Sequence, residues 1–129
     1  MNSELDPCPC GGAVYTGCCE RFHAGHEQAP TAEALMRSRY SAFALGLGDY
    51  LWRTWHPRTR PDDVRLDDTE WTGLEIIEVV DGSESDTQGT VEFAAHYLHG
   101  QDAGTMRERS RFERRANRWM YLDGVTQQS

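Results

Sequence analysis

The four cysteines of this 129-residue chain all fall within its first 19 positions, as Cys8-Pro9-Cys10 and Cys18-Cys19. Thiols gathered this closely can hold a metal, exchange electrons or pair as disulfides. A disulfide framework spreads its cysteines to close long loops, and a bond between the neighbours Cys18 and Cys19 would strain an eight-membered ring. Redox work favours C-x-x-C over the C-x-C spacing present here. Four thiolates around Zn²⁺ make a closed tetrahedral site with bonds of about 2.3 Å. The pattern therefore predicts a structural zinc held by Cys8, Cys10, Cys18 and Cys19. Gly11-Gly12 lets the backbone turn back toward Cys18, and Pro9 stiffens the first loop. His23 and His26 follow closely and could replace one cysteine, but with four sulfurs at hand they are expected outside the ligand set, on the surface. A segment this short and polar cannot bury a core of its own, so the metal would supply its folding energy.

The rest of the chain must position whatever other chemistry there is, and its composition limits the choices. It is 38% hydrophobic and 26% charged, enough apolar material for one folded domain and too much for disorder. No apolar run is long enough to span a bilayer. The start, Met1 to Asp6, is acidic and lacks the apolar stretch of a secretory signal, so a cytoplasmic location is expected. A net charge of −8 argues against an extended nucleic-acid partner. Every one of the 13 basic residues is an arginine, which excludes Schiff-base chemistry through lysine. Gly-rich phosphate loops, G-x-S-x-G elbows and H-E-x-x-H helices are all missing.

Helical signals come first. After a connector over residues 20–30, Thr31 offers an N-cap, with Glu33 in the first turn. Met36, Tyr40, Phe43 and Leu47 recur on one helical face until Gly46 and Gly48 end the helix. Asp49 can cap a second short helix, Tyr50 to Trp55, stopped by Pro57. Residues 58–70 read as loop. From Trp71 the period changes to two. Strands are expected over 71–80, 90–98, 105–115 and 118–123, with Ala116-Asn117 as a hairpin turn. In the second strand Val91, Phe93, Ala95 and Tyr97 share one face; in the third, Met106, Glu108, Ser110 and Phe112 alternate with Arg107, Arg109 and Arg111. Residues 62–92 hold eleven acids and residues 105–118 six arginines, so pairing these strands would set opposite charges across from each other.

Helices followed by a four-stranded antiparallel sheet indicate an α+β layer fold. The order resembles the NTF2-like cone, a curved antiparallel sheet packed on N-terminal helices. The string Cys8-Pro9-Cys10-Gly11-Gly12 through Cys18-Cys19 resembles the SEC-C zinc motif, C-P-C-G-S-G-x-x-Y-x-x-C-[CH], which also occurs in the SecA translocation ATPase. Here one residue fewer separates the middle cysteines, and Gly12-Ala13 stands where Ser-Gly is usual. Leu35 to Phe43 (LMRSRYSAF), Thr54 to Pro57 (TWHP), Glu108 to Phe112 (ERSRF) and Trp119 to Gly124 (WMYLDG) together resemble the YchJ family of small bacterial proteins. That resemblance implies a SEC-C zinc knuckle over residues 1–28 and an NTF2-like domain over residues 29–129.

NTF2-like folds often hold a pocket between sheet and helices, and the candidates to line it are Arg39, Tyr40, Trp55, His56, His96, Glu108 and Arg109. The expected function is a zinc-binding module, without catalysis, that takes a protein partner through its knuckle or a small molecule in its pocket. The alternative is an NTF2-like lyase, isomerase or hydrolase using His56 or His96 as general base, oriented by Asp49 or Glu108. A face-to-face homodimer would also suit such a sheet.

Overall fold

The computed structural model describes residues 7–12 and 14–127; the acidic start Met1 to Asp6 and Ala13 within the cysteine motif lie outside them. A 3-10 turn, Tyr15–Gly17, leads into three helices: α1 (Glu20–His23), α2 (Ala32–Leu45) and α3 (Gly48–Arg53). Four strands follow, β1 (Glu70–Asp81), β2 (Gln88–His99), β3 (Asp102–Arg115) and β4 (Arg118–Gln127). They form one antiparallel meander in the order β1-β2-β3-β4. None of the described helices is long and apolar enough to cross a membrane.

Local chemistry explains the boundaries of α2. The Thr31 hydroxyl accepts from the Ala34 N–H at 3.0 Å, and Gly46 closes the helix in the left-handed region at φ 76°, its N–H reaching the Ala42 and Phe43 carbonyls. The β3–β4 turn has positive φ at both Ala116 (52°) and Asn117 (65°), the geometry of a type I′ hairpin. Three sequence expectations shift. Residues 20–23 of the connector are helical, because α1 carries Phe22 into the core. The second helix runs over Gly48–Arg53 without a side-chain cap from Asp49, and it ends before Trp55. The chain beyond it pairs with β4 instead: the His56 N–H donates to the Tyr121 carbonyl at 2.7 Å and the Tyr121 N–H to the Thr54 carbonyl at 2.8 Å. The stretch 99–104 between the expected second and third strands is mostly strand, since β3 keeps its register with β2 out to Asp102 opposite His99.

Extra residues at Thr72 and Ile77 in β1, and at Leu122 in β4 opposite Arg111 and Phe112, bend the sheet around α2. The concave face carries Val91, Phe93, Ala95, Phe112 and Trp119 against Leu35, Met36 and Tyr40 of α2. The convex face carries the charge pairing that the sequence implied: Arg109 reaches Glu78 (2.7 Å) and Glu92 (3.0 Å), Arg107 reaches Glu92 (2.6 Å), and Arg111 grips Asp123. Where β1 turns into β2, Gly82 and Gly89 lie against the start of α2, and the Gly82 carbonyl accepts from the Ala32 N–H at 2.9 Å. A Cβ on Gly82 would sit 2.7 Å from the Ala32 Cβ, at a φ of 80° that side chains disfavour. Gly82→Ala should therefore destabilise the protein by about 2–4 kcal/mol, measured as a lower urea midpoint with an unchanged m-value.

Candidate functional site: a sulfur cluster and a cavity on opposite sides of one helix

The cysteine segment folds back on itself through a bridge between Pro7 and Val14 and a turn closed by the Gly11 N–H on the Cys8 carbonyl. The four Sγ atoms of Cys8, Cys10, Cys18 and Cys19 lie within 4.8 Å of one another, and none is in a disulfide. Four sulfurs on a tetrahedral ion with 2.3 Å bonds stand about 3.8 Å apart. The observed separations of 3.6 Å (Cys10–Cys18) and 4.0 Å (Cys18–Cys19) bracket that value. Gly12 is part of the cradle, since a Cβ there would come within 2.6 Å of the Cys18 sulfur. The donor set could thus hold one soft or borderline metal ion.

Without a cation, the crowded sulfurs resist sharing negative charge. Hydrogen bonds from Cys10 and Cys19 hold the Cys8 thiol far below its ordinary pKa. Cys18 is pushed up to about 11 by burial, and Cys19 is raised by its sulfur neighbours, Cys10 first. A divalent ion is the group that would let all four be thiolates.

The cluster rests on α2. The Ser41 hydroxyl lies 3.3 Å from the Cys19 sulfur and 3.5 Å from that of Cys8, and Arg37 donates to the Cys10 carbonyl at 3.0 Å. Cys8, Cys10 and Cys19 belong to the same buried cluster as Leu35, Met36 and Tyr40, so the segment shares the core of the whole chain. His26 is exposed, but His23 is not the surface residue expected from sequence. Its Nε2 donates to the Ser38 carbonyl at 2.8 Å, and its Nδ1 accepts from the Tyr15 hydroxyl at 2.7 Å. Both ring nitrogens are used, and His23 stays out of the sulfur cluster.

On its other side α2 walls a cavity of about 280 Å³ against the concave face of the sheet. Tyr40, Phe43, Trp71, Phe93 and Phe112 supply aromatic walls, with Met36 and Met106 filling between them. The polar groups are few. Arg39 is 6% exposed; its Nη1 donates to the Leu51 carbonyl (2.8 Å) and the Thr54 hydroxyl (2.7 Å), while the guanidinium lies 4.6 Å from the Tyr121 ring centre. Burial lowers its pKa to about 10, so it remains a cation at neutral pH, and no carboxylate among the described residues comes within salt-bridge distance of it. The Glu108 carboxylate accepts from Ser110 (2.5 Å) and from the Tyr121 hydroxyl (3.3 Å), whose own pKa burial pushes up. Gly124 leaves room for that carboxylate, which a Cβ would strike. The indole Nε1 of Trp55 is buried without a hydrogen-bond partner among the described residues.

Of the sequence candidates, Arg39, Tyr40, Trp55 and Glu108 line this cavity; His56, His96 and Arg109 do not. The physical reason is strand alternation. His96 follows the inward-facing Ala95 and so lies on the convex face, 2.8 Å from the Thr105 hydroxyl and 3.9 Å from Glu75. Arg109 follows Glu108 and belongs to the convex charge network. His56 follows Trp55 where that segment pairs with β4; it is buried elsewhere, its Nε2 3.3 Å from Glu113 and its Nδ1 accepting from the Arg58 N–H. Trp71, Ser110 and Tyr121 were not singled out for the pocket, although the period-two pattern puts Ser110 on the same face as Glu108 and Tyr121 on the same face as Trp119.

A curved sheet cupped over a helix pair, with a four-sulfur segment docked behind, defines an NTF2-like domain carrying a SEC-C-type knuckle. The family model described as "YchJ, middle NTF2-like domain" matches residues 31–124. The chain belongs to that family. It is 57% identical over 120 residues to a UPF0225 protein of Streptomyces coelicolor, covering 92% of this chain and 94% of that one. It is 50% identical to a UPF0225 protein of Chromobacterium violaceum, covering 92% and 91%. Among solved structures, a SEC-C motif containing protein from Rhodopseudomonas palustris superposes with a TM-score of 0.81 at 31% identity, covering 94% of this chain and 98% of that one. A second, from Psychrobacter arcticus, gives 0.79 at 29% identity, covering 100% and 87%.

The buried guanidinium is a structural dependency that can be measured. Arg39→Met keeps the apolar stem but takes the charged donor away from the Leu51 carbonyl and from the Thr54 hydroxyl oxygen. An expected loss of about 2 kcal/mol is readable by urea unfolding.

Proposed function

We propose that this chain is a small-molecule-binding module in which a structural zinc, held by Cys8, Cys10, Cys18 and Cys19, braces the helix that walls the ligand cavity. The observation that carries the reading is the double use of α2. Arg37 and Ser41 reach the cysteine segment and Ser38 receives His23, while Met36, Arg39, Tyr40 and Phe43 turn to the cavity. Four thiolates saturate a tetrahedral ion, so the zinc contributes a cross-link rather than a Lewis-acid position. The cavity itself has the make-up of a ligand site, with mostly aromatic walls and a small number of placed polar groups. A histidine-based enzyme would need its base in that space, and neither His56 nor His96 lines it.

Elemental analysis of reduced protein should give one zinc per chain, and Cys10→Ser should hold less. Naphthalene, used as an apolar probe, should shift the methyl resonances of Met36 and Met106 in a saturable way. Stripping the metal with a chelator should weaken that binding roughly tenfold, because a looser α2 lowers the fraction of competent cavities. Substoichiometric zinc in fresh reduced protein, or methyl signals indifferent to naphthalene, would overturn the reading.

A further inference from the structure

Resting on that ligand-binding reading, we infer that the cavity selects a neutral, planar molecule of one or two rings that carries a hydrogen-bond acceptor beside a donor, as in a cyclic amide. The first observation is the Trp55 Nε1, the one buried side-chain polar atom among the described residues that has no partner. An indole N–H can only donate, and buried donors in native proteins are almost always satisfied. Trp55 is among the residues that line the cavity, and its Nε1 lies just beneath that lining; a turn of the ring toward the space is what would present the N–H to an acceptor. The second observation is the Glu108 carboxylate, which among the described residues accepts from Ser110 and Tyr121 alone. An ionised carboxylate has about four acceptor sites, so capacity remains for a donor from the ligand.

The charge balance argues for neutrality. Arg39 and Glu108 line the same cavity with opposite signs and do not pair directly. An anionic ligand would gain Arg39 and meet Glu108; a cationic one would face the reverse. A neutral molecule with both donor and acceptor uses the site without leaving either charge opposed. The walls argue for a flat body, because Tyr40, Trp71, Phe93 and Phe112 present ring faces and edges suited to stacked or edge-on aromatic contact. A volume of about 280 Å³ lies at the small end of ligand sites, which limits the body to one or two rings.

Three bicyclic probes of similar shape separate the possibilities: 2-quinolinone (neutral, adjacent N–H and C=O), naphthalene (no polar group) and 1-naphthoate (anionic). Zinc-loaded protein should bind 2-quinolinone about tenfold more tightly than either of the others, the value of one well-made hydrogen bond, and the Trp55 indole N–H resonance should move on binding. Trp55→Phe should bring the ratio of 2-quinolinone to naphthalene affinity down to about one, whatever it does to the affinity for either probe alone. Should that variant fail to fold, the indole resonance of the unaltered protein still decides. Equal affinity for the three probes, tighter binding of 1-naphthoate, or an unmoved Trp55 resonance would overturn the inference while the ligand-binding reading stands. If none of the probes binds, naphthalene included, that reading falls with it.

Discussion

The structure depends on one helix with two buried sides. α2 spans 14 residues, and eight of them are buried, among them Ser38, Arg39 and Ser41, polar groups that a single-sided amphipathic helix would turn to water. Their burial is tolerable because each finds a partner: Ser38 its own Leu35 carbonyl and the Tyr50 hydroxyl, Ser41 the sulfurs, Arg39 the Leu51 carbonyl and the Thr54 hydroxyl. Unpaired, any one of them would cost more than its neighbours return. The polar residues of α2 thus fix where the cysteine segment and α3 dock, and the apolar ones fix the sheet.

The buried cation follows from the same geometry. A lysine at position 39 would present a compact ammonium, whereas the planar guanidinium sends one nitrogen to two oxygens and lays its flat face near the Tyr121 and Trp55 rings, 4.6 and 5.3 Å from their centres. The cost of desolvation is offset by several modest contacts instead of one ion pair. That leaves Glu108 to its own hydroxyl donors, and the cavity keeps two opposite charges that have not neutralised each other by contact.

Much of this was legible in the sequence. Thr31 and Gly46 marked the ends of α2 because capping chemistry is local, and Ala116-Asn117 marked the last hairpin for the same reason. The alternation of Met106, Glu108, Ser110 and Phe112 with arginines gave the two faces of β3, and the charge excesses of the two segments appear as the convex network. The cysteines were close in sequence, and their clustering needed only a tight turn. The same alternation assigns His96 and Arg109 to the face opposite Ala95 and Glu108, so their place outside the cavity is legible in the sequence as well. His56 and His23 were illegible for a physical reason. Their surroundings come from β4 and α2, 65 and 15 residues away for the backbone partner of each (Tyr121 and Ser38), and no local pattern encodes such contacts.

The close approach of Gly82 to the first turn of α2 has a consequence for the first hairpin. Position 82 carries the smallest residue because the Ala32 methyl and the Gly89 Cα both crowd the place a Cβ would take. Glycine at 32 would remove the methyl at the expense of helix propensity in the opening turn, but the Gly89 Cα at 3.3 Å and the φ of 80° would remain. The tip of the first hairpin is thus held to glycine by its own backbone as well as by the helix it touches, fifty residues earlier in the chain.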